Sequence, residues 1–215
     1  IFFLLVLFAN TTVQTQTIDS LQTRIFLKKA QFFFDSVQYD SALFYENKAI
    51  EICDNKFNKK NLLLAEAYFQ NALTLRRLGL YEKALERLLL ATEIREESLP
   101  RSHSDLGESY HKVGVLFDDL GNYSKAIMYY DKAIDEKKKI HGEINAEVAR
   151  SIFNKGVAYA NQNLFGSHDS NRIGSHIVNR GIGNFRDWGK YFVLSQAAGN
   201  PDYKVRKPNQ EEVEM

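Results

Sequence analysis

The residue types that could carry chemistry in this 215-residue chain are few and scattered. His168, Asp169 and His176 are metal-ligand types close in sequence, but a fourth ligand and a supporting pattern are missing. Arg180-Gly181-Ile182-Gly183-Asn184 has the bare glycine spacing of a phosphate loop. It lacks a preceding strand and the rest of the loop, so it reads as a turn. Cys53 is the only cysteine, and with one of the five histidines it could make a thiol nucleophile. Its place near the end of a helical pattern instead makes it a small buried residue. No paired-carboxylate motif rises above helix-surface charge. The sequence thus names no catalytic residue, no metal site and no cofactor, and it reads as a binding protein rather than an enzyme.

What the sequence does carry is a lattice of small and aromatic residues at one fixed spacing. Tyr39, Tyr81, Tyr123 and Phe165 lie 42 residues apart. The same spacing relates Ala42, Ala84 and Ala126, then Ala49, Ala91 and Ala133, then Ala30, Ala72, Gly114 and Gly156. Four registers holding one period predict a helical repeat array. Each repeat reads as a helix A, a short turn and a helix B. Gly79 and Gly121 mark the turns, because glycine tolerates the left-handed backbone that ends a helix. Val37 stands in their place in the first repeat. Small residues let antiparallel helices approach, and Tyr110, Phe117 and Tyr130 fill the space between repeats. A helix pair alone cannot bury this surface, so each repeat leans on the next.

The lattice resembles the tetratricopeptide repeat. Tyr110, Val113, Gly114, Phe117, Ala126, Tyr130 and Ala133 match its signature in order, and so do Tyr68, Ala72, Leu75, Gly79, Tyr81, Ala84, Leu88 and Ala91. The usual period is about 34 residues; the 42 found in this chain resembles the long repeats of kinesin light chains. The resemblance spans roughly Leu21 to Phe165. It implies an all-α, right-handed superhelical solenoid of antiparallel helix pairs. It also implies a protein or peptide partner held in a concave groove lined by the A helices. The side chains off the packing lattice would face that groove. They include Gln70, Leu73, Arg76 and Arg77, then His111, Lys112 and Asp119, then Arg150, Asn154 and Asn161. Arg76, Arg77, Lys112 and Arg150 would hold carboxylates, while Gln70, Asn154 and Asn161 would bond a peptide backbone. An alternative use of the same array is as the N-terminal sensor region of a larger signalling or protease protein.

Net charge is +1, which gives no electrostatic case for nucleic acid or an anionic membrane surface. No small-molecule substrate is indicated. Ile1–Ala9 is a continuous apolar run, too short to span a bilayer, for which about 20 residues are needed. It reads either as the remnant of a signal peptide over 1–17, implying export, or as a buried first helix. Membrane contact is expected only through that segment. The array is expected over 20–165, with helices at Leu21–Val37, Tyr39–Cys53, Leu62–Leu78, Tyr81–Glu97, Ser109–Leu120, Ser124–Ile140 and Asn145–Gln162. Ile25, Phe26, Ala30, Phe33 and Phe34 form the apolar side of the first. Residues 166–215 change composition. There Phe185–Ala198 reads as a capping helix, or else the natural array continues, and a disordered tail is expected from Pro201.

Overall fold

The computed structural model describes residues 2–56 and 61–166, and within them the side chains of 17–56 and 61–162. Seven α-helices are found among the described residues, and no strand. They are α1 (Phe2–Asp35), α2 (Tyr39–Lys56), α3 (Leu62–Arg77), α4 (Tyr81–Ser98), α5 (Ser104–Asp119), α6 (Tyr123–His141) and α7 (Ala146–Gly166). Each packs on its neighbours in sequence, and α1 also meets α3, as α5 meets α7. The architecture is an all-α helical repeat solenoid.

The 42-residue period sets the helix boundaries as well as the core. The B helices α2, α4 and α6 start at Tyr39, Tyr81 and Tyr123, and the A helices α3, α5 and α7 at Leu62, Ser104 and Ala146. The residue before each of these A helices caps it. Asn61 Oδ1 accepts from Leu63 N at 2.7 Å, His103 Nδ1 from Asp105 N at 3.2 Å, and Asn145 Oδ1 from Glu147 N at 2.8 Å. The third repeat departs from expectation here. Its cap is His103, and α5 begins at Ser104 rather than Ser109.

The three A–B turns among the described residues close in one way. Gln38 N bonds Phe33 O, Leu80 N bonds Leu75 O, and Asn122 N bonds Phe117 O, each a six-to-one closure of a helix end. The motif needs a left-handed residue. Gly79 (φ 75°) and Gly121 (φ 72°) supply it without strain, whereas Val37 is forced there (φ 61°). The first helix therefore ends at Asp35, not Val37. It also begins far earlier than Leu21, and one unbroken helix joins the apolar run to the first repeat.

The lattice residues make the core. Ala30, Ala42, Ala49, Ala72, Ala84, Ala91, Ala126 and Ala133 are all fully buried. Gly114 shows why size is limited: a Cβ there would stand 2.8 Å from two ring carbons of Tyr130. Cys53 is buried as expected, and burial pushes its thiol up to about 11, which removes it as a nucleophile. Ile25 is a correction. It is exposed, and Leu27 and Thr23 take the inward positions of α1.

Two stability measurements test this account. Val37→Gly should raise unfolding free energy by about 1 kcal/mol in denaturant titration, because an exposed β-branched residue leaves a strained conformation. Gly114→Val should lower it by about 2 kcal/mol, since the facing tyrosine has nowhere to go.

Candidate partner-binding site

Ion pairs decide which expected groove residues are open to a partner. Arg76 on α3 forks onto both carboxylate oxygens of Asp119 on α5 through Nε and Nη2. Lys112 Nζ lies 3.2 Å from Glu108 Oε1. Arg150 Nη2 bonds Glu108 Oε2 at 2.7 Å and also Glu147. Lys137, nearly buried, lies 3.0 Å from Glu108 and 3.2 Å from Glu147. Three of the four expected carboxylate-binding cations are thus neutralised by the protein itself. Arg77 has no carboxylate partner among the described residues; its guanidinium sits 5.9 Å from the centre of the Phe34 ring.

Glu108 is the hub of that network. Burial pushes its carboxyl up, but Lys112, Lys137 and Arg150 more than offset this and hold it at about 2. His111 is a correction: it is 2% exposed and does not line an accessible groove. Its Nδ1 lies 2.9 Å from Ser151 Oγ on α7. Burial first, then repulsion from Lys137 and Arg150, depresses its pKa to about 3, with Glu108 opposing, so the ring is neutral. The physical reason is position: His111 lies on the face of α5 that meets α7, a seam between A helices.

The remaining expected residues are half-buried and locally engaged. Asn154 stands beside the Tyr130 hydroxyl and Asn161 beside the Asp118 carboxyl. Leu73 is half-buried. Gln70 Nε2 donates to Glu66 Oε1 at 2.9 Å, while its Oε1 is buried with no partner among the described residues.

Gln70 leads to the feature the sequence reading missed. It borders a cavity of about 630 Å³ on the face lined by the A helices. The walls are α1, through Leu21, Arg24, Ile25, Lys28 and Gln31, and α3, through Leu62, Leu63 and Glu66. Arg95 from the end of α4 contributes to the floor, its guanidinium 4.4 Å from the Phe69 ring centre and bonded to Ser109 Oγ at 2.7 Å. Leu21, Ile25 and Leu62 are exposed there. Arg24 and Lys28 are exposed and make no ion pair among the described residues. The sequence signal was present in α1, where apolar and basic residues share one face. Ile25 belongs to that open face rather than to the core. No group of three or more metal-ligating side chains that could hold an ion occurs among the described residues, and His168, Asp169 and His176 lie outside them.

Paired helices repeated at constant spacing, with caps and turns in register, define a helical-repeat binding scaffold. A sequence profile of the tetratricopeptide repeat family matches residues 63–139. Residues 63–139 thus carry tetratricopeptide repeats, and the solenoid they sit in has the fold of such repeats. No curated protein matches it in sequence. Among solved structures it resembles BtubC (BKLC) from P. vanneervenii, with a TM-score of 0.64 and 16% identity over 89% of this chain and 69% of that one. It is also similar to the TPR-like repeats of a kinesin light chain from Podosopora anserina, with a TM-score of 0.60 and 16% identity over 67% and 68% of the two chains. The apo form of RapI gives a TM-score of 0.59 at 21% identity, covering 69% of this chain and 40% of that chain. These likenesses establish the fold, and the family's repeats make the chain a scaffold for protein–protein interaction.

The network around Glu108 has a pH signature. A carboxyl held below its ordinary 4.5 gives stability that is present above pH 4.5 and lost as the pH falls toward 2. Thermal melts of Glu108→Gln should therefore show a lower melting temperature than wild type at pH 7. The gap should shrink by pH 2.5.

Proposed function

We propose that the chain holds an extended segment of a partner protein in the cavity between α1 and α3, and makes or breaks no bond in doing so. One observation carries this reading: exposed Leu21, Ile25 and Leu62 stand beside Arg24 and Lys28, which have no carboxylate partner among the described residues. Elsewhere on the A-helix face Arg76, Lys112 and Arg150 are already paired. Apolar side chains of the partner would supply the anchoring energy, and the two free cations would favour segments with acidic residues. The third and fourth repeats then serve as a rigid support. On sequence alone, the Ile1–Ala9 run supports an exported protein.

Photo-crosslinking tests this assignment. A benzophenone amino acid at Leu21 or Gln31 should capture a partner, identified by mass spectrometry. The same probe at exposed Leu89 or Met128, on B helices α4 and α6, should not. Leu21→Asp/Ile25→Asp should weaken binding of that partner at least about 10-fold, whereas Lys112→Glu should change it little. Equal capture from both faces would discard the cavity as the site.

A further inference from the structure

The seam between the first and second repeats is built differently from the seam that follows it. Glu46 on α2 is only 1% exposed. Thr74 Oγ1 donates to its Oε1 at 2.6 Å, and Asn71 Nδ2 to its Oε2 at 3.1 Å, both from α3. Moving 42 residues along the chain puts Leu88 in the place of Glu46, Val113 in that of Asn71 and Leu116 in that of Thr74. Those three are buried together in one hydrophobic cluster. A wholly apolar contact at the second seam is therefore a carboxyl, an amide and a hydroxyl at the first.

A buried ionisable group without a countercharge gives up stability that apolar residues of similar volume would provide. No cation among the described residues pairs with Glu46. Of the charged side chains on the packed elements, Lys29 of α1 stands over the Tyr45 ring and Arg77 of α3 over the Phe34 ring, and neither pairs with it. Its bonding partners among the described residues, Thr74 and Asn71, are both neutral. Burial pushes the pKa up to about 7, with the Thr74 and Asn71 bonds only partly opposing. Thr74 can serve both forms. Its hydroxyl donates to the carboxylate, or turns to Gln70 O, 3.3 Å away, and accepts the proton of the neutral acid.

We propose that the joint between the first two repeats is a pH-responsive hinge, tight when Glu46 is neutral and loosened when it ionises. The joint carries α1 and α3, the two walls of the cavity, so the hinge adjusts the binding site; that last step rests on the site assignment above. The sign follows from linkage. A carboxyl whose folded pKa is raised from 4.5 to about 7 gives stability that is full below 4.5 and lost as the pH rises through 7.

The test uses the whole chain and needs no partner. Between pH 4.5 and 8, the melting temperature of wild type should fall by on the order of 5 °C more than that of Glu46→Gln, which keeps the shape but cannot titrate. Hydrogen exchange at 39–56 and 62–77, corrected for the intrinsic rate, should quicken above pH 7 in wild type and not in the variant. Glu46→Leu/Asn71→Val/Thr74→Leu, which copies the second seam into the first, should be more stable and flat with pH. Parallel melting curves for wild type and Glu46→Gln would overturn the hinge. If Glu46→Gln does not fold, a pH slope kept by the triple variant would overturn it equally. Failed crosslinking at Leu21 would leave this result standing, and a flat melting curve would leave the cavity assignment standing.

Discussion

Close approach of helix on helix is the constraint that the rest of the structure obeys. Alanines of both helices meet with no exposed surface, and at Gly114 even a methyl group would collide with Tyr130. Backbones held this near restrict rotation and sliding of the helices within a pair, so the outward side chains inherit defined positions. This is why ion pairs can bridge consecutive repeats with short side-chain reach, as between Arg76 and Asp119 or Arg150 and Glu108. A loosely packed array would scatter those partners.

The same bridges divide the molecule into two regions. Toward the fourth repeat, basic and acidic groups are spent on one another, and Lys137, itself nearly buried, is bonded to two carboxylates. Toward the first repeat the apolar and basic side chains of α1 are left over, and the cavity opens there. Rigidity at one end and unspent surface at the other suit a body that offers one site on a fixed support.

Periodicity made most of the fold legible before any coordinates. The registers of Tyr39, Ala42, Ala49 and Ala30 gave the helix pairs, their turns and their buried faces, because small residues at helical spacing have few other uses. Boundaries were less legible. His103 is an unusual cap, and only its register with Asn61 and Asn145 gives it away. The site was read poorly for a definite reason. Polarity does not fix exposure in this chain: His111 and Glu46 are polar and buried, while Ile25 is apolar and open. Laying Glu46 over Leu88 and Tyr130 would have marked it as a core position. The proposed signal remnant concerns side chains that are not described, and the proposed helix at Phe185–Ala198 and the tail lie outside the described residues altogether.

The capping asparagine, histidine and asparagine at 61, 103 and 145 each stand at the threshold of a module. A gene cut just ahead of two consecutive ones would excise or duplicate one hairpin while leaving every helix with its own start signal intact. Arrays of this design can therefore grow or shrink by whole units during evolution, with no need to invent a new helix beginning at the junction.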